Sequence, residues 1–346
     1  MRPSNPQLRG QDALYGRRAG RDKQTVAMEN HKILYKVQQV FPGADSGGTT
    51  LGLSYTLRAG SHSYPFRFKI PFNNGCADPH AQQGPGTGFA GLGLGNLQQM
   101  AYRHVKRTLP PSLTGFPGEA EVRYYVKVTV QRPSIFKENR RSAVGFKFLP
   151  IEPPRPPVST NEVYARRPFV FQAGMAGFPR KGGLFKKKPP ELSDTPPKGE
   201  IDARLPSPAI LTCNEKVPLR LIVRKTAESP EDVYLMSLQL VLIGSTEVRA
   251  QDVSRTEQST WVLMTVDGLR IKIGDAGDKV KTESVVDETL WSGVPLPNTV
   301  APSFETCNLK RSYELEVRVG LGFGKGEVQV CFPSRLSFLF PFPLIP

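Results

Sequence analysis

The chain's 346 residues are enough for two domains of ordinary size, and 38% apolar residues beside 32 glycines and 33 prolines point to packed segments separated by long unpacked ones. No apolar run of about eighteen residues is present and no apolar core follows the N-terminal arginines, which excludes a membrane-spanning helix and a secretory signal and implies the cytosol. The net charge of +15 admits nucleic acid or an anionic membrane surface as a partner, so where that charge lies matters.

In chain order, residues 1–23 carry Arg2, Arg9, Arg17, Arg18 and Arg21 with little apolar content, and are expected to be a disordered basic tail. Residues 24–158 are expected to form a first, incomplete β-sandwich. In it Leu51, Leu53, Tyr55 and Leu57 alternate with small polar residues, as do Phe66, Phe68 and Ile70. An insertion over 73–109 interrupts this domain and contains one short helix: Asn96 is a good N-cap, and Leu97, Met100, Ala101 and Val105 recur at helical spacing. Val122, Tyr124, Val126, Val128 and Val130 then share one face of a long strand, followed by Val144, Phe146 and Phe148.

Residues 159–199 read as a basic Pro/Gly-rich connection. Its run Arg180, Lys181, Lys186, Lys187 and Lys188 is either a solvated linker or a contact for an anionic leaflet, with only Phe178 and Phe185 near enough to serve a nucleic-acid stacking platform. Just before it, Pro153, Pro154, Arg155, Pro156 and Pro157 fit a stiff spacer, or a polyproline ligand for an SH3 or WW groove. A second β-sandwich is expected over 200–332: Leu219, Leu221 and Val223 alternate, Val233–Ile243 is apolar on both faces, and Leu269, Ile271 and Ile273 alternate again. Tyr313, Leu315, Val317, Val319 and Leu321 oppose Glu314, Glu316 and Arg318. Residues 333–346 are expected to be an irregular tail.

The chemical motifs are sparse. Gly86-Thr87-Gly88-Phe89-Ala90-Gly91 satisfies GxGxxG, but no apolar strand leads into it, and a loop accounts for it better than a dinucleotide site. Cys76, Cys213, Cys307 and Cys331 are widely spread without a CxxC pair and are expected to be isolated thiols. Cys76 and His80 have ligand spacing, yet two ligands do not close a zinc site, so no metal or other cofactor is expected. No nucleophile, base and oxyanion set assembles, so an enzyme is not expected.

Longer phrases carry a resemblance. Arg58-Ala59-Gly60 through Tyr64-Pro65-Phe66-Arg67-Phe68-Lys69-Ile70-Pro71 resembles the N-domain signature of arrestin-like proteins. So do Pro110-Pro111-Ser112-Leu113, Ala120–Val128, Gln131-Arg132-Pro133 and Phe148-Leu149-Pro150-Ile151-Glu152-Pro153-Pro154. Arg204–Pro208, Leu211–Leu219, Leu242–Ala250, Trp261-Val262 and Phe304–Leu315 are similar to the C-domain, in the correct order, and the wording resembles that of arrestin-like proteins (alpha-arrestins) of filamentous fungi. The family's opening Y-x-P-G-D hairpin and its closing strand are not recognisable, although His31–Val40 reads as one strand.

The resemblance implies two tandem immunoglobulin-like β-sandwiches. It also implies a non-enzymatic adaptor in endocytosis or sorting, cytoplasmic and peripheral to the plasma membrane or endosomes. The implied partners are cytosolic tails of membrane cargo and a HECT-type ubiquitin ligase. None of the 10 tyrosines completes a Pro-Pro-x-Tyr motif, so the ligase rests on the family alone. The alternative is a basic β-protein that binds nucleic acid or anionic membrane without handling cargo.

Overall fold

Alternating apolar residues bury one face of a strand, and each such strand needs a neighbour for its backbone N–H and C=O groups. In the computed structural model those needs are met by antiparallel pairing, and the protein is nearly all β. The structure describes residues 4–18, 25–42, 59–76, 104–116, 120–132, 138–151, 157, 160–171, 198–228, 232–250, 253–324, 326–332 and 337–338. The chain divides into two compact units. The first comprises residues 1–151 with 246–257 and 304–311, and the second comprises 152–245, 258–303 and 312–346.

The first unit is built on a five-stranded sheet. Strand β1 (Ser4–Arg18) pairs antiparallel with β2 (Thr25–Val37) on one side and with β4 (Ala120–Val130) on the other. The far side of β4 pairs with β3 (Leu113–Phe116) near its start and β5 (Arg140–Phe146) along the rest. A stretch expected to be disordered is therefore the strand that joins β2 to β4. Its arginine-rich composition hid it, because its place comes from backbone pairing.

Two further expectations are corrected here. Phe66, Phe68 and Ile70 lie in a segment without ladder hydrogen bonds, its Arg67 N–H donating to the Gln38 side chain at 3.2 Å. Phe66 and Ile70 are exposed, and only Phe68 packs against the core made by Ile33, Leu34, Leu109, Val122, Tyr124, Val248 and Leu309. The predicted helix falls mostly on residues outside the described set. Its last part, 104–107, is not helical: it runs beside 72–76, with Asn74 N–H on the Arg107 carbonyl at 2.7 Å and Leu109 N–H on that of Phe72 at 3.0 Å. The Leu51–Leu57 strand and the glycine run 86–91 also fall outside the described residues.

The second unit holds a four-stranded sheet in the order β11-β8-β7-β6: β6 (Glu162–Val170), β7 (Lys198–Pro206), β8 (Arg220–Lys225) and β11 (Glu283–Val285). The third sheet of the protein has β9 (Val233–Ala250) between β10 (Val253–Gly274) and β13 (Leu309–Phe323). β12 (Phe304–Glu305), β14 (Gly326–Phe332) and β15 (Ser337–Phe338) pair with β13. β15 pairs with Tyr313 and Glu314, so part of the expected irregular tail is sheet. Ile201, Ala203, Leu205, Leu221 and Val223 from one sheet meet Leu235, Leu238, Leu240, Leu242 and the wholly buried row Tyr313–Leu321 from the other, a β-sandwich core. The one short helix described, α1 (Thr289–Ser292), places Trp291 against it at 1% exposure.

The other face of the four-stranded sheet carries an ion-pair ladder. Asp202, 2% exposed, accepts from Arg166 at 2.7 and 3.0 Å and from Arg204 at 2.8 Å; Glu162 meets Arg204 and Arg220, and Arg224 meets Glu200 and Glu283. Burial opposes charge on Asp202, but the two guanidinium hydrogen bonds outweigh it and hold its carboxyl below the ordinary value. A carboxyl depressed in the native state contributes its stability above the unfolded-state value, and that contribution fades as acid takes the pH through the native one. Asp202→Asn is expected to cost about 2 kcal/mol near pH 7, less than a fully buried pair because Arg166 is partly open to water. Urea unfolding at falling pH should show the gap between wild type and variant closing below about pH 4.

Candidate functional site

Four chemically distinctive side chains converge inside the first unit. β2 carries His31, the turn after Gly75 carries Cys76, His104 begins the segment that returns along 72–76, and Cys307 sits in the turn between β12 and β13. Local backbone bonds bring them together. Gly75 N–H donates to the Ile33 carbonyl at 2.8 Å, which docks the 72–76 segment onto β2. The Asn74 amide donates to the Val105 carbonyl at 3.0 Å and its Oδ1 accepts Arg107 N–H at 3.3 Å, tying the two segments side by side. Thr306 shapes the third turn, its Oγ1 accepting Leu309 N–H at 2.9 Å, and Arg107 reaches Glu305 at 3.0 Å.

The ligand-type atoms of these four residues all lie within 4.8 Å of one another. His31 Nδ1 is 3.3 Å from Cys76 Sγ, and His104 Nδ1 is 3.1 Å from Cys76 Sγ and 3.7 Å from Cys307 Sγ. His31, Cys76 and Cys307 are buried and His104 half-buried, the two rings meeting edge to face. On its outer side, His31 Nε2 lies 2.6 Å from Glu29 Oε1, a bond that leaves Nδ1 turned toward the sulfurs. Val105 N–H donates to Cys307 Sγ at 3.3 Å.

This setting favours a thiolate. Cys307 is pushed down to about 3 by a hydrogen bond from Cys76, against the cost of burial and with help from His31, Val105 N–H and His104. His31 is raised: burial works against its charge, and hydrogen bonds with Cys307 and Glu29 outweigh it. Two sulfurs and two ring nitrogens at such distances suit a soft or borderline cation.

His80, paired with Cys76 by spacing in the sequence, lies outside the described residues; the structure sets Cys76 beside His104, and Cys76 and Cys307 are not isolated thiols. The separations of 45, 28 and 203 residues follow no short ligand motif. No signal in the sequence singles these residues out: they are two of four histidines and two of four cysteines, far apart along the chain. Cys213, buried with its thiol raised by desolvation, and the exposed Cys331 belong to the second unit.

A second feature of the first unit is β5. Among the described strands it pairs only with β4, and residues 140–145 are all exposed, Val144 at 70%. Arg140, Arg141 and, just past its end, Lys147 make this edge basic. Beside it an open groove of about 580 Å³ is lined by Val122, Tyr124, Tyr125, Gly145, Phe146 and Lys147 among others. Arg180, Lys181, Lys186, Lys187 and Lys188, the candidate membrane contact, lie outside the described residues. So do Pro153, Pro154, Arg155 and Pro156 of the candidate SH3 or WW ligand, while Pro157 is described and exposed. No helix among the described residues is long and apolar enough to cross a membrane.

No family model matches the chain, and no curated protein matches it.

Proposed function

We propose that the chain is a non-enzymatic adaptor of the arrestin-like kind, two tandem immunoglobulin-like sandwiches that capture cytosolic tails of plasma-membrane transporters or receptors for endocytosis and sorting. The observation that carries this reading is the edge of β5. A strand with no neighbour on one side among the described residues can accept an extended peptide as an added strand, the backbone supplying affinity and neighbouring pockets the selectivity. Arg140, Arg141 and Lys147 favour an acidic tail, and the groove beside Tyr124 and Phe146 takes an apolar side chain. The phrases resembling arrestin-like proteins supply the cargo class, the peripheral location and the HECT-type ubiquitin ligase as a further partner. The basic run 180–188 adds attraction to an anionic leaflet.

The test uses the full chain and an array of acidic cytosolic-tail peptides, each beside a scrambled copy. Tails that bind should lose about tenfold or more in affinity to Arg140→Glu/Arg141→Glu, with a dependence on salt. Equal binding of tails and scrambled copies would defeat the reading. Tight nucleic-acid binding with a steep salt slope, and none to anionic vesicles, would favour the alternative of a basic nucleic-acid-binding β-protein, for which the charge of +15 speaks.

A further inference from the structure

Four polar, nucleophilic side chains seldom share one buried spot without an ion between them. In the first unit, His31, Cys76, His104 and Cys307 bring their donor atoms within 4.8 Å of one another from four separate places in the fold. A tetrahedral zinc ion bound at ordinary Zn–N and Zn–S lengths holds its ligand atoms about 3.3–3.8 Å apart. The separations of 3.1, 3.3 and 3.7 Å lie close to that range, before any contraction or spreading that an ion would impose.

The surroundings have the outer hydrogen bonds that metal-bound groups require. A ligating imidazole usually donates its other N–H to a carboxylate, which fixes the tautomer; here Glu29 occupies that position on His31 at 2.6 Å. A metal-bound thiolate is steadied by backbone N–H groups, and Val105 N–H points at Cys307 Sγ at 3.3 Å. Two thiolates cancel the charge of a divalent ion, so the filled centre is neutral and suits a site where His31, Cys76 and Cys307 are 7%, 2% and 5% exposed.

We propose that His31, Cys76, His104 and Cys307 bind a structural Zn²⁺ ion that clamps the first unit together. Two sulfurs and two imidazole nitrogens in a tetrahedron select zinc over calcium or magnesium, which take oxygen. All four positions are filled by the protein, so no place remains for a water or substrate, and the ion holds structure without doing chemistry. Its mechanical role follows from the ligands' positions. Cys76 and His104, 28 residues apart, flank the glycine-rich stretch 77–103, and the ion ties these two flanking residues together. His31 adds β2 and Cys307 adds the β12–β13 turn, so one ion cross-links four segments far apart in the sequence. The inference does not depend on the adaptor reading: a zinc clamp and a peptide-binding edge are tested by different measurements.

The experiment measures metal in the full chain, expressed with zinc present and purified without chelators. About one zinc per chain is expected by elemental mass spectrometry. X-ray absorption on the wild-type protein should show two sulfur and two nitrogen neighbours. Replacement by Co²⁺ should give the intense visible bands of a tetrahedral site and a thiolate-to-cobalt charge-transfer band. Cys307→Ser and Cys76→Ser should lower zinc affinity at least tenfold, and Cys331→Ser should leave zinc content unchanged. Should the cysteine variants fail to fold, the absorption and cobalt spectra of the wild type decide alone. Wild-type protein without zinc, an oxygen-rich coordination shell, or a Cys76–Cys307 disulfide found by mass spectrometry in the fresh protein would each overturn the proposal.

Discussion

Stripping the ion from His31, Cys76, His104 and Cys307 with a strong chelator is expected to raise amide exchange about a hundredfold in residues 72–76 and 104–109. A factor of that size corresponds to roughly 2.7 kcal/mol of lost protection, well below the 10–16 kcal/mol by which zinc stabilises a peptide that has no other core. The smaller figure follows from what remains. Ile33, Leu34, Leu109, Val122 and Tyr124 still pack together, and the ladder of β1 with β2 and β4 still holds. The segments that loosen are those whose other ties are few: 72–76 and 104–109 depend on one isolated bridge, Asn73 with Thr108, and a handful of single hydrogen bonds. Peptides from the centre of the second unit, such as Leu238–Leu242, serve as the internal reference and should change less than about twofold. Exchange read by mass spectrometry, with and without restored zinc, checks both halves of the expectation.

The second large effect belongs to the other core. Trp291→Ala should cost about 3–5 kcal/mol, because it removes the largest side chain among those wholly buried and leaves a cavity that rigid sheets cannot close. Trp291 stands on a helix of four residues, Thr289–Ser292, too short to hold itself. Packing of Trp291 against the sandwich core is what fixes α1, so the substitution should also free the residues around it. For a unit of this size the loss corresponds to a fall in Tm of about 10 °C, measurable by calorimetry. Trp291→Phe should recover part of it by filling part of the space.

Reading strands from the order of residues succeeded where burial followed alternation. On β13 the row Tyr313, Leu315, Val317, Val319 and Leu321 is wholly buried, opposite Glu314, Glu316 and Arg318. The run from Val233 became part of β9, which has a neighbour on each side. Alternation misled at Phe66, Phe68 and Ile70, where the side chains have a strand's spacing but the backbone joins no ladder among the described residues. It was silent at Ser4–Arg18, where pairing with β2 and β4 makes a strand of a polar, arginine-rich stretch. A hydrophobic period reports which face can be buried; a ladder is a property of two chains' backbones together.

The same division governs the candidate sites. The basic character of β5 could be read from Arg140, Arg141 and Lys147, yet its exposure as a sheet edge depends on which strands lie beside it. The two histidines and two cysteines were visible as residues and unreadable as a group, because a zinc site made within one short motif announces itself by spacing, and this one draws on four distant segments. Composition and alternation thus determined that the protein is β, where much of its interior lies and where its charge collects, since these depend only on neighbours along the chain. Which edge stays open, which polar stretch becomes a strand and which thiols meet which imidazoles were decided by long-range pairing, since contacts 28 to 203 residues apart exist only once the sheets have closed.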